Sequence, residues 1–142
     1  MTEAPPRPAG PGLSLTLYIS RQTAFLGTAE ALVARAGEHA GCASDDARRL
    51  GQAVRQALGG LIAHTLADGG HAEIEVAVKG NGRLLKVDVV CPGGAGGTVS
   101  VEEALTGRGD DAVMRRLVDR VEFGRDGDRQ YCRLTQQVRA AR

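Results

Sequence analysis

The chain has 142 residues and a formal net charge of +1, from 18 basic and 17 acidic side chains. That length fits one domain with a real core and leaves little room for a second. The near-neutral balance argues against a phosphate-tracking nucleic-acid binder, which carries a strongly basic face. No apolar run approaches the roughly 20 residues that span a bilayer, and Met1 to Gly12 contain no apolar segment of the signal-peptide kind. Cys42, Cys91 and Cys132 are odd in number and far apart, which suits thiols in a reducing compartment better than a disulfide framework. The expectation is a cytoplasmic domain that binds neither nucleic acid nor membrane. Aromatic residues make up 3% of the chain, so the core has to be built from Leu, Val, Ile and Ala. Lys79 and Lys86 are the only lysines, the other basic residues being arginine, a bias to which no function is attached.

In chain order, residues 1–12 hold four of the five prolines and no periodicity, and read as a disordered leader before a single domain over residues 13–142. Leu13 to Ser20 alternates, with Leu13, Leu15, Leu17 and Ile19 on one face of a half-buried strand. Phe25, Ala29, Leu32, Val33 and Ala36 are spaced for a helix closed by Gly37. Ser44 is placed to cap a second helix, with Asp45 and Asp46 at its positive end. That helix carries an apolar stripe from Leu50 through Val54, Ala57, Leu58, Leu61 and Ile62 to Leu66, and stops at Gly69-Gly70. Ala72 to Val78 and Leu84 to Val90 alternate around Asn81-Gly82, a tight-turn dipeptide, and form a hairpin. A glycine-rich stretch from Pro92 to Gly97 opens a region without clear period as far as Gly109. A short helix follows around Ala112 to Val118, then a hairpin of Val121 to Arg125 and Gln130 to Val138. Strands on one face and helices on the other predict an α+β two-layer sandwich with a mixed, mostly antiparallel sheet.

This order and three of its motifs resemble the histidine-kinase-like ATPase (GHKL) superfamily, and within it the small bacterial anti-sigma factors that act as serine kinases. The resemblance covers roughly Leu13 to Val138. The family's long second helix carries Glu-Ala-x-x-Asn-Ala-x-x-His, where this chain reads Gln56-Ala57-Leu58-Gly59-Gly60-Leu61-Ile62-Ala63-His64. Its Asp-x-Gly-x-Gly motif, at the end of a hydrophobic strand, corresponds to Cys91-Pro92-Gly93-Gly94-Ala95. Its glycine pair opening a helix corresponds to Gly107-Arg108-Gly109, followed by Met114-Arg115-Arg116-Leu117-Val118-Asp119-Arg120-Val121.

The resemblance implies a general base, a magnesium ligand and an adenine contact at the Glu, Asn and Asp positions. Here those positions hold Gln56, Gly60 and Cys91. An amide is far too weak a base to replace the carboxylate, glycine has no side-chain oxygen for magnesium, and a thiol is a weak acceptor. The expectation is therefore a bacterial signalling regulator that works by protein–protein contact, with kinase activity lost and no catalytic residue. Its partner would be a sigma factor, an anti-anti-sigma-like regulator or another signalling domain, and a homodimer through the N-terminal strand and first helix would fit the family. No cofactor is expected; ATP or ADP with Mg would enter only where binding is retained, through Gly93, Gly107 and Gly109.

The alternative is an active ATP-dependent serine/threonine kinase with its acid elsewhere: Asp45, Asp46, Glu102-Glu103, or Asp88, which lies close to the expected adenine side. A domain holding nucleotide as a structural or sensory ligand is a third reading. Gly59-Gly60 inside a helix costs roughly 1 kcal/mol per glycine relative to alanine. It reads equally as close backbone packing or as altered ligand space. The loop Cys91 to Gly97 reads first as a connector, although its amides could cradle a phosphate, and Arg108 reads as a solvated loop residue. No metal site is expected: His39 and Cys42 have a ligand-like gap but no second pair, and His64 reads as a helix-end cap or as part of the pocket wall. The cysteines read as small buried hydrophobes, Cys91 being reactive only if exposed. Arg115, Arg116, Arg120, Arg125, Arg129 and Arg133 are interleaved with Asp110, Asp111, Asp119, Glu122, Asp126 and Asp128. They read as a solvated mixed-charge surface, with docking of an acidic partner as the sharper alternative.

Overall fold

The computed structural model of the chain describes residues 12–63, 73–92 and 100–139. The leader before Gly12, the end of the second helix with Leu66, His64 and Gly69-Gly70, and the glycine-rich loop with Gly93 lie outside the described residues. Strand β1 (Leu13–Ile19) keeps its leucines half-buried and its polar residues exposed, as the alternation requires. After a short 3-10 turn come helices α1 (Leu26–His39) and α2 (Ser44–Ala63). Then follow strands β2 (Ile74–Gly80) and β3 (Leu84–Pro92), helices α3 (Val101–Thr106) and α4 (Asp110–Leu117), and strands β4 (Arg120–Asp126) and β5 (Arg129–Gln137).

The strands form one sheet in the order β1-β2-β3-β5-β4, and every pairing is antiparallel, so the expected mixed character resolves to a wholly antiparallel ladder. Both hairpins stand where the turn residues put them. Asn81 Oδ1 accepts from the backbone N–H of Arg83 and Leu84, each at 2.9 Å, and fixes the first. The helices cover one face. Leu50, Val54, Ala57, Leu58 and Leu61 of α2 are fully buried against Ile74, Val76, Val78, Leu85, Val87, Val89 and Leu134 of the sheet. This is the two-layer α+β sandwich expected, with a core of small aliphatic side chains.

Three local readings differ. Helix α1 does not close at Gly37; it ends where Gly41 takes φ +104°, with Cys42 N–H donating to Gly37 O and Gly41 N–H to Glu38 O. That is a Schellman end, and only a residue tolerant of positive φ closes it cheaply. Gly37 instead lets the helices approach: a β-carbon there would lie 3.1 Å from Ala47 Cβ. Ser44 donates its hydroxyl to Glu38 at 3.0 Å, joining the two helices rather than capping its own. The stretch without period holds α3, whose Ser100 Oγ accepts from Glu103 N–H at 3.0 Å. The Ser100 hydroxyl donates in turn to Glu103 Oε1, at 3.3 Å. Ser100-x-x-Glu103 is a capping box.

Candidate functional site

The region matching the three motifs lies where the middle of α2, the end of β3 and the α3–α4 turn converge. Gln56 and Gly60 are one helical turn apart on α2, so they project to the same side. Facing them is Asp110, the first residue of α4, which is only 5% exposed. Gln56 Nε2 donates to Asp110 Oδ1 at 2.5 Å. The other carboxylate oxygen, Oδ2, has no hydrogen-bond partner among the described residues. It lies over Gly60: a β-carbon there would fall 2.5 Å from Asp110 Oδ2 and 2.6 Å from Leu105 Cδ2.

The two adjacent glycines therefore separate. A β-carbon on Gly59 would meet nothing nearer than Leu26 Cδ1 at 3.9 Å, ordinary contact. Gly60 is the close-packing residue, and what it makes room for is the carboxylate and leucine of the following helices. An asparagine at this position would occupy the volume that Asp110 and Leu105 now fill.

The Gly107-Arg108-Gly109 turn is built from both its glycines. Gly107 N–H donates to Glu103 O and closes α3, while Gly109 N–H donates to Thr106 O. Gly109 has φ +83° and its carbonyl accepts from Ala112 and Val113 N–H, starting α4. The amides of these two glycines are thus engaged within the turn, and Arg108 is exposed. Asp110 and Asp111 occupy the first turn of α4, where the helix dipole favours negative charge. They supply that charge from the chain itself, and repel an added phosphate.

Cys91 is 2% exposed and belongs to the apolar core, on the sheet face that the helices cover. Cys42 and Cys132 are also buried, and none of the three forms a disulfide. Burial pushes the Cys132 thiol up to about 12, with the Asp88 charge adding to it. Burial, then Asp46, raises the Cys42 thiol as well. All three are buried thiols outside any disulfide, in line with their reading as small buried hydrophobes.

Asp88, the acid that the kinase alternative would use, does not face the α2 motif. It lies on the opposite, open face of the sheet, accepting from Arg133 Nε at 2.8 Å and Nη2 at 3.1 Å. Asp45 pairs with Arg48, Asp46 with Arg139, and Glu102 and Glu103 are exposed on α3. The acid that does face the α2 motif, Asp110, was read from sequence as part of a solvated surface. Gly60 was its one signal, since a glycine inside a long helix marks something packed against it without saying what.

Magnesium with a nucleotide does not fit these residues. Magnesium needs several oxygen ligands in near-octahedral array, and α2 offers an amide already bonded to Asp110 and a glycine. The space beside Gly60 is filled, the helix start beyond it is acidic, and Cys91, where the resemblance implies the adenine contact, is a buried thiol. Among the described residues, no group of three or more His, Cys, Asp or Glu is placed to hold a metal ion.

No protein-family profile matches the chain, and no curated protein matches it. Among solved structures it is similar to the crystal structure of the RsbU and RsbW domains of Rv1364c from Mycobacterium tuberculosis. The TM-score is 0.66 at 17% identity, over 92% of this chain and 33% of that one. The chain thus spans about a third of the length of the structure it matches. Among the described residues no helix is long and apolar enough to cross a membrane. Element order, sheet topology and this likeness agree on the architecture: the chain has the histidine-kinase-like ATPase fold.

Proposed function

We propose that the chain is a bacterial signalling regulator that acts by binding a protein partner, with phosphoryl transfer lost. The observation that carries the reading is the Gln56–Asp110–Gly60 cluster. Two of the three positions that carry the resemblance pack a carboxylate from α4, and a carboxylate in that place disfavours a phosphate beside it. A general base is missing at Gln56, and an oxygen ligand is missing at Gly60. The fold kept without its chemistry is a scaffold for recognition. The likeness to an RsbW-containing structure supports a sigma factor or an anti-anti-sigma-like protein as partner, in the cytoplasm.

A homodimer is part of this reading. Among the described residues strand β1 is a sheet edge, with one row of backbone groups unpaired within the sheet. Beside that edge, Tyr18, Phe25 and Leu32 are exposed around an apolar groove of about 210 Å³. A second copy meeting the edge antiparallel across a two-fold axis would cover both features with one self-complementary surface.

The test is reconstitution. The chain is mixed with individually purified sigma factors and anti-anti-sigma-like proteins of its source organism, and masses are read by light scattering, with and without Mg-ATP. The reading predicts a stable complex that Mg-ATP leaves unchanged, a free chain of twice the monomer mass, and no transfer of labelled phosphate. Phosphate transferred to the partner would overturn it, and transfer abolished by Asp110→Asn would establish Asp110 as the acid of an active kinase.

A further inference from the structure

The open face of the sheet carries a charge pattern that the fold does not need. Lys79 on β2 and Lys86 on β3 stand directly opposite each other, and both are exposed. The only two lysines of the chain are therefore neighbours. Like charges directly opposite across an antiparallel pair are destabilising. The same row continues through Thr135 on β5, opposite Lys86, to the exposed Arg120 on β4, opposite Thr135.

None of these three cations has a carboxylate partner among the described residues, although acids share the face. Two of those acids are engaged elsewhere, and the third, Glu122, stands opposite Arg133. Asp88 holds Arg133 through two hydrogen bonds, and Glu75 holds Arg129 at 2.6 Å. Beside the lysines lies a groove of about 300 Å³, with Ala77 and Val90 between its charged side chains. One end of the face is thus cationic and unsatisfied, while the middle is internally paired.

From this we infer that the row Lys79, Lys86 and Arg120 is a docking surface for an acidic segment of a protein partner. At roughly 4.8 Å per strand step, the row runs about 14 Å across the sheet. A helix presenting carboxylates on one side covers that span in two to three turns. Protein carboxylates suit the surface better than nucleic acid does. Three cations release few counterions, and the neighbouring Asp88, Glu75 and Glu122 would repel a continuous phosphate backbone. The proposal deepens the protein-binding reading and rests on it, naming the chemistry of the partner and the face it meets.

The experiment uses the full chain and a short helical peptide of Glu and Ala, with its Gln and Ala counterpart, followed by backbone amide shifts. Saturable shifts are expected around Lys79, Lys86 and Arg120 with the Glu peptide alone, weakening as salt is added. Lys79→Gln/Lys86→Gln should bind about tenfold more weakly. It should also melt about 1–3 °C higher at low salt, because the opposed charges are gone. Equal binding by this variant, equal binding of the Gln peptide, or no saturable shift would overturn the proposal. So would a lower melting temperature, or tighter binding of duplex DNA or phosphatidylserine vesicles through the same lysines. Phosphate transfer in the reconstitution would sink the functional reading and leave this surface standing.

Discussion

At the scale of single residues, Gly59 and Gly60 are chemically identical, sit side by side in one helix, and answer to different constraints. Alanine at Gly59 meets only ordinary contact, so the helix propensity gain of up to about 1 kcal/mol should appear as added stability. At Gly60 the same change drives a methyl group into Asp110 and Leu105, and overpacking of this kind costs about 1–3 kcal/mol. Denaturant titration of Gly59→Ala and Gly60→Ala should therefore move the midpoint in opposite directions. Equal shifts would mean α4 yields freely and the cluster constrains nothing. Cys132 gives a second prediction. Its folded thiol lies near 12 against an ordinary 9.0, so the folded state keeps its proton more tightly than the unfolded one. The stability this holds is complete below about pH 9 and drains as pH rises toward 12, by up to about 1.4 kcal/mol per unit. Cys132→Ala should show a shallower alkaline decline than the parent in denaturant titrations between those limits; parallel curves would contradict it.

At the scale of elements, the alternating strands and both hairpins were legible because their burial is periodic and their turns carry Asn81-Gly82 and Asp126-Gly127-Asp128. The fully buried stripe of α2 was legible for the same reason. Helix α3 was missed because six residues are too few to show a period, yet its capping box stood in plain view at Ser100 and Glu103. Ser100→Ala should cost about 1 kcal/mol, read by thermal melting, since Glu103 N–H then loses its acceptor. An unchanged melting temperature would show that the bond from Val101 N–H to Gln130 Oε1, which ties this helix start to β5, is enough by itself. Of the candidate site, Gln56 and Gly60 were legible as neighbours on one side of α2, from their spacing of one helical turn. Asp110 was not, because its burial comes from the α3–α4 turn folding back over α2, a contact between residues more than fifty positions apart. Nothing local distinguishes it from Asp111, its partly exposed neighbour.

At the scale of the whole molecule, the two sheet faces have separate roles. The helix-covered face holds the core and the Gln56–Asp110–Gly60 cluster, where Asp110 and Leu105 pack onto α2. The open face and the β1 edge carry the cations without a carboxylate partner among the described residues and the exposed apolar groups, on which the proposed docking surface and dimer rest. The central claim is that this fold no longer takes up magnesium and nucleotide, and the most direct measurement is thermal melting of the chain with Mg-ATP, Mg-ADP and metal-free ATP. A ligand at about 100 times its dissociation constant stabilises by roughly 2.7 kcal/mol, a shift of several degrees in a domain of this size. The account predicts coincident melts under all conditions. A metal-dependent upward shift with Mg-ATP would contradict it, and would mean that α4 swings off Gly60 to admit the nucleotide.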